Sequence, residues 1–298
     1  MKLQSIQYFQ KNAVMKTLYQ TIVLIFCLTT NTIAQTSEAA KSGYAPVNGL
    51  KIYYEIHGEG HPLVLVHGSF MTIPANYGQL IPELAKTHKV IALELQGHGR
   101  TADIDRPFSY ENFADDVAGL LDYLTIEKAD FIGYSLGGTI TMQTAIAHPE
   151  KVGKIIFISS AFKDTGWSSD IQESIANLTV EQFEGTPIQT IYAEVAIDPG
   201  NWRDFMSKMI AFEKQPYDLG LSNIKAIPSP ILIIKGDYDG VDMTHTMELF
   251  GAFGGGGTGM MEPLSPSGLA VIPSTTHITL MEKTEDLLDF IQPFLAVD

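Results

Sequence analysis

A serine between glycines, an aspartate in a later loop and a histidine later still occur in the chain order Ser135, Asp239, His277. That order suits acyl transfer through a covalent intermediate. Gly133-Tyr134-Ser135-Leu136-Gly137-Gly138 contains G-x-S-x-G, the pattern of a strand-to-helix turn that pushes a nucleophilic hydroxyl clear of a sheet. Glycine is needed on both sides of the serine because a side chain there would collide with neighbouring backbone. The turn also sets Ser135 at the positive end of the following helix. A serine hydroxyl is a weak nucleophile until a base removes its proton. His277, in Thr275-Thr276-His277-Ile278, follows a strand late in the chain and is assigned that role, taking the Ser135 proton and passing it to the leaving group. His67, His98 and His148 precede or closely follow the turn, and His245 falls within a helical pattern.

The imidazole in turn needs a carboxylate to fix its tautomer and stabilise its cation. Gly236-Asp237-Tyr238-Asp239 supplies two and Asp242 a third. Asp239 is favoured because it lies deep enough in the loop to reach His277. Asp237 is expected to form the turn through its local backbone, and Asp242 to cap the next helix. A developing oxyanion needs fixed donors. The Leu136 N–H at the helix start is one, and the other is sought in His67-Gly68-Ser69-Phe70, with the Ser69 N–H first and the Phe70 N–H second. His67 is expected to tie this loop down.

These residues require a scaffold of alternating strands and helices. Strands are predicted over residues 51–57, 63–66, 89–93, 129–133, 154–159, 231–234 and 268–272. Helices are predicted over 74–87, 109–124, 136–147, 241–253 and 282–295. In the segment 109–124, Phe113, Val117, Leu120, Leu121 and Leu124 recur at helical spacing, with Asp115 and Asp116 expected to face outward. Short continuous Ile/Val/Leu strands between amphipathic helices indicate an α/β fold: a mostly parallel, doubly wound sheet with helices on both faces. About seventy residues interrupt this rhythm before the strand at 231. They contain Trp167, Phe183, Tyr192, Trp202, Phe205, Met206, Met209 and Phe212, and a helical cap over about 162–227 is expected, inserted into one domain spanning 44–298. Most of its aromatics should pack internally, with one or two lining a pocket. The glycine run at 254–257 lacks a following Lys-Ser/Thr and follows a helix instead of opening one, so it reads as a surface loop.

Together these motifs resemble the α/β-hydrolase superfamily, in its branch with an H-G-x-x loop and a helical cap, over about residues 47–297. Glu94-Leu95-Gln96-Gly97-His98-Gly99-Arg100 is similar to that family's D-x-x-G-x-G-x-S turn, with Glu94 for Asp and Thr101 for Ser. Gly236-Asp237-Tyr238-Asp239 matches its G-x-x-D acid loop, which supports Asp239. The proline often found a few residues later is replaced here by Gly240-Val241-Asp242. Serine instead of aspartate at the turn separates this chain from the epoxide and haloalkane hydrolases of the same fold. The resemblance therefore implies hydrolysis of a carboxylic ester or lactone. A C–C bond hydrolase or perhydrolase-like enzyme is the alternative within the fold, and a slow-turnover ligand receptor the alternative from another class.

Composition narrows the partners. The chain has 298 residues, 45% hydrophobic and 18% charged, with a net charge of −15. An acidic surface argues against nucleic-acid phosphate as a partner, and a small-molecule ester or lactone is expected instead. The single cysteine, Cys27, permits no intramolecular disulfide, and the histidines show no metal-ligand spacing. Neither metal nor cofactor is expected. Lys2, Lys11 and Lys16, the apolar run 21–28 and Thr32-Ile33-Ala34 follow the order of a secretory signal. Residues 1–34 are thus expected to be removed, giving a secreted or periplasmic protein with no stable membrane association, and an uncleaved anchor is the alternative. Cleavage after Ala34 would take those three lysines and move the net charge from −15 to −18. Oligomeric state is left open.

Overall fold

The computed structural model describes residues 41–259 and 263–296, and the leader pattern over 1–34 lies outside them. Eight strands form one sheet in the order β1-β2-β4-β3-β5-β6-β7-β8. They are β1 (Lys41–Val47), β2 (Leu50–His57), β3 (His61–Val66), β4 (His88–Leu93), β5 (Ala129–Tyr134), β6 (Val152–Ile158), β7 (Ile231–Tyr238) and β8 (Gly268–Thr276). β2 runs antiparallel to β1 and β4, and every other neighbouring pair is parallel.

The central strands are continuous apolar runs because both of their faces are covered. Val64, Val66, Phe131 and Phe157 point into one apolar layer, and Leu63, Leu65, Ile132 and Ile156 into the other. The first layer is covered by α3 (Tyr110–Tyr123) and α4 (Leu136–Ala147), the second by α1 (Ile73–Tyr77), α2 (Ile81–Leu84) and α10 (Thr284–Ala296). Between β6 and β7 lie α5 (Ser169–Ala176), α6 (Pro187–Val195), α7 (Trp202–Glu213) and α8 (Leu221–Lys225), and α9 (Met243–Ala252) follows β7.

Several expectations need correction. The sequence reading contained no strand before residue 51, yet β1 forms the sheet edge. Its signal was Asn48-Gly49, whose φ angles of +49° and +85° make the two-residue hairpin turn joining β1 to β2. The helix expected over 74–87 is two short helices, because Pro82 has no N–H to give to the Gly78 carbonyl. β7 and β8 run further than expected, so His277 directly follows the end of β8.

Asp116 does not face outward. It is 2% exposed and accepts from both Arg106 terminal nitrogens, at 3.0 and 2.5 Å, and from Asn48 Nδ2 at 3.0 Å. Asp115 alone lies on the exposed side, paired with His148 at 2.8 Å. Cutting away one partner of a buried pair strands the other charge. Arg106→Ala is therefore expected to cost about 3 kcal/mol, measured as a shift in urea midpoint at unchanged slope. A loss under about 0.5 kcal/mol, the range of ordinary surface changes, would contradict this account.

Candidate active site

Ser135 stands between the end of β5 and the start of α4 with φ +53° and ψ −122°, a backbone conformation that side-chain-bearing residues rarely adopt. Glycine is obligatory around it for a visible reason. A Cβ on Gly137 would sit 1.9 Å from the Val66 carbonyl oxygen, and one on Gly133 would sit 2.3 Å from that of Gly137. The elbow is thus wedged between β3 and its own helix. The Ser135 N–H donates to the Ile158 carbonyl at 2.9 Å, tying the turn to β6.

The structure brings together the three residues singled out from sequence. His277 Nε2 lies 3.0 Å from Ser135 Oγ, and His277 Nδ1 lies 3.1 Å from Asp239 Oδ1. Burial would raise the Asp239 acid, but its bond to His277, the favourable interaction with a protonated form of that ring, the Ser159 hydroxyl and the Val241 N–H outweigh burial and hold it below its usual range. Asp239 Oδ2 and Ser159 Oγ are both buried without a partner at ordinary hydrogen-bond geometry. Ser159 (φ +46°) acts on the acid through proximity. The sequence reading did not single out Ser159. His277 is steadied by Tyr134, whose hydroxyl donates to the His277 carbonyl at 2.8 Å and whose ring lies 5.2 Å from the imidazole.

The loop carrying Asp239 is held from two sides. Lys235 donates its ammonium to the Val241 carbonyl. The Ser168 N–H bonds the Gly240 carbonyl and the Asp242 N–H bonds the Gly166 carbonyl, each at 2.8 Å. The acid loop is thereby stitched to the start of the β6–β7 insertion. Asp242 caps α9 through the His245 N–H at 3.0 Å. Asp237 serves its own turn and also accepts from the Thr275 N–H of β8 at 3.1 Å, which pins the neighbouring strand.

The loop after β3 lies against the nucleophile, since a Cβ on Gly68 would approach Ser135 Cβ to 3.2 Å. His67 Nδ1 contacts the Gly68 carbonyl at 2.8 Å and Nε2 accepts from the Leu95 N–H at 3.1 Å. Burial drags its pKa to about 4, so the ring is a neutral tie. Among the described residues, the N–H groups of Ser69, Phe70 and Leu136 have no acceptor. These are the donors sought for an oxyanion. In the turn after β4 both replacement residues make hydrogen bonds within the turn. Glu94 accepts from the Arg100 N–H at 2.5 Å and from Arg100 Nη1 at 2.8 Å, and burial lifts its pKa to about 7. Thr101 Oγ1 donates to the Glu94 carbonyl at 2.7 Å.

Of the aromatics in the insertion, Tyr192, Trp202, Phe205 and Phe212 are buried in the core, together with Met206 and Met209. Trp167 meets the His277 ring edge-on at 5.4 Å, and Phe183 lies 5.3 Å from Phe70. Sequence reasoning passed over Glu213, which accepts a hydrogen bond from Ser69 Oγ. Its signal was its position, because it continues the Met206–Met209 stripe of α7 at helical spacing, where a carboxylate is out of place. Burial raises its pKa, against the opposing pull of Ser69 and His277.

A family model described as alpha/beta hydrolase fold matches residues 61–191. The chain is 32% identical over 212 residues to 2-hydroxymuconate semialdehyde hydrolase from a Pseudomonas strain, covering 64% of this chain and 75% of that one. It is 35% identical over 264 residues to 2-hydroxy-6-oxo-2,4-heptadienoate hydrolase of Pseudomonas putida, covering 81% and 91%. Among solved structures, a carboxylesterase of Nitrososphaera gargenis superposes with a TM-score of 0.66 at 25% identity, covering 86% of this chain and 98% of that one. With the strand order, the Ser135 turn and these likenesses in agreement, the chain belongs to the alpha/beta hydrolase fold family.

Proposed function

We propose that this protein is a serine hydrolase that cleaves a carboxylic ester or lactone through an acyl-enzyme, with Ser135 as nucleophile, His277 as base and then acid, and Asp239 orienting the ring. The observation that carries this reading is the unbroken relay of 3.0 Å from Ser135 Oγ to His277 Nε2 and 3.1 Å from Nδ1 to Asp239. As Ser135 Oγ attacks the acyl carbon, its proton passes to Nε2, and the cation formed is stabilised by the ionised Asp239. The oxyanion that develops is met by the Leu136 N–H and the Ser69 N–H, with Phe70 beside them. Nε2 then protonates the departing alcohol, and a water repeats the sequence to release the acid. Residues 162–227 act as a cap over this site.

The two Pseudomonas relatives favour a second reading, hydrolysis of a carbon–carbon bond in a 2-hydroxy-6-oxo-dienoate. The same relay would serve it. Hydrolysis of short- and medium-chain p-nitrophenyl esters by the purified protein, with Ser135→Ala as control, separates the two readings. Turnover abolished by the substitution supports the esterase. A folded protein inactive on esters and lactones but active on a dienoate would replace it with the C–C hydrolase.

The leader pattern over 1–34 supports work outside the cytoplasm, where a chain cleaved after Ala34 contains no cysteine to oxidise. The exported protein is expected to have an intact mass beginning at Gln35. A mass that retains residues 1–34 would mean an anchor instead.

A further inference from the structure

The surroundings of Ser135 carry a carboxyl group that the proposed reaction does not use. Glu213, at the end of α7, accepts a hydrogen bond from Ser69 Oγ and lies within electrostatic reach of His277, Tyr110 and Tyr217. The groups around it connect into one wall. Trp167 meets the His277 ring, Trp167 Nε1 donates to the Tyr217 hydroxyl at 3.1 Å, and the Tyr217 and Tyr110 rings lie 4.7 Å apart. None of these six side chains is a Lys or Arg.

Four of the five cations of the insertion are paired elsewhere and the fifth is exposed. Lys163 pairs with Glu248, Lys208 with Asp103, and Arg203 with Glu181 and Glu184. Lys214 donates to the Leu178 carbonyl, and Lys225 is exposed on α8. Lys235 spends its ammonium on the Val241 carbonyl beside Asp239. Ser69 belongs to the loop whose N–H groups face the acyl oxygen in the proposed reaction, so Glu213 stands one side chain away from the reacting carbonyl. A carboxylate on the acyl chain would need a cation or fixed donors to replace its water. Once Glu213 is ionised, as at mildly alkaline pH, the acyl carboxylate would meet a like charge instead, which low-dielectric surroundings make costly.

We propose that Glu213 is a specificity residue that turns the acyl pocket against carboxylate-bearing substrates, so that this enzyme takes uncharged acyl groups. The inference rests on the serine-hydrolase reading. It departs from what the names of the Pseudomonas relatives say of those proteins, since a dienoate carries a carboxylate.

The test compares kcat/KM for p-nitrophenyl hexanoate and mono-p-nitrophenyl adipate, at mildly alkaline pH, in the wild type and in Glu213→Gln. The amide oxygen can still accept from Ser69, so the variant removes the charge and keeps the tie. The preference for hexanoate over adipate is expected to fall by about tenfold or more, equivalent to about 1.4 kcal/mol, mainly through faster turnover of the adipate ester. A purely structural role would lower both rates alike and leave the ratio unchanged, and that result overturns the proposal. If Glu213→Gln does not fold, inhibition of the wild type by phenylboronic acid and 4-carboxyphenylboronic acid decides. Inhibition by the neutral compound at least about tenfold tighter supports the proposal, and equal inhibition overturns it. Absence of any Ser135-dependent turnover of either ester is a different result, because it removes the serine-hydrolase reading itself and this inference with it.

Discussion

Ser135→Ala is expected to lower kcat on a p-nitrophenyl ester by about 10⁴- to 10⁶-fold, the loss typical when the nucleophile of a cooperating triad is removed. The fold should be nearly unaffected. Among the described residues the hydroxyl bonds only His277, and the elbow is held by backbone, through the Ser135 N–H to Ile158 and the contacts around Gly133 and Gly137. Ser135→Gly sharpens the point. At φ +53° and ψ −122° a Cβ is strained, and strain of this kind costs about 1–3 kcal/mol. Glycine relieves it while giving up some unfolded-state entropy. The glycine variant should therefore be equally inactive yet more stable by about 1 kcal/mol, seen as a higher denaturation midpoint. An inactive variant that is also less stable would mean that the elbow is not where the strain resides.

Asp239→Asn should have the second largest effect, about 10³- to 10⁴-fold in kcat. The carboxyl is fully buried and accepts from His277 Nδ1 and the Val241 N–H. An amide of the same shape can turn its NH₂ toward Nδ1, which then has to accept. The proton moves to Nε2, and that nitrogen can no longer take the Ser135 proton. The effect should fall on kcat with little change in KM, because the ring stays in place between Tyr134 and Trp167. The same substitution has a signature in stability. Asp239 titrates lower in the folded protein than its ordinary 3.8, so the folded state binds fewer protons than the unfolded one. Its contribution is complete above about pH 3.8 and disappears as pH falls through the lowered folded value. The variant should lack this part of the acid-induced loss. Loss of activity through KM alone would contradict the tautomer argument.

Local chemistry made the elbow, the acid loop and the late histidine legible in the sequence. Gly133 and Gly137 announce a turn only glycine can make, and the strand before and the helix after fix its meaning. The parallel sheet was legible because strands covered on both faces are written as unbroken apolar runs, as in residues 231–234. What escaped notice depended on contacts distant in sequence. Asp116 sits on the apolar stripe of α3 and is tolerated there only because Arg106 and Asn48 reach it from other segments. Glu213 meets Ser69 across 144 positions of chain, and periodicity could show only that a carboxylate occupied an inward position. β1, with its glycine and proline, has the weak pattern of an edge strand, and its sign was the Asn48-Gly49 turn. The long helix expected over 74–87 is interrupted because Pro82, lacking an N–H, cannot continue it, and a second short helix starts there instead.

The central claim is that Ser135 is a nucleophile activated by His277. Its most direct test is treatment of the folded protein with a fluorophosphonate, followed by intact-mass and peptide mapping. A single adduct on Ser135, absent from Ser135→Ala and formed far more slowly by His277→Ala, is the result this account requires. A folded wild-type protein that takes no label, or that labels equally fast without His277, would contradict it.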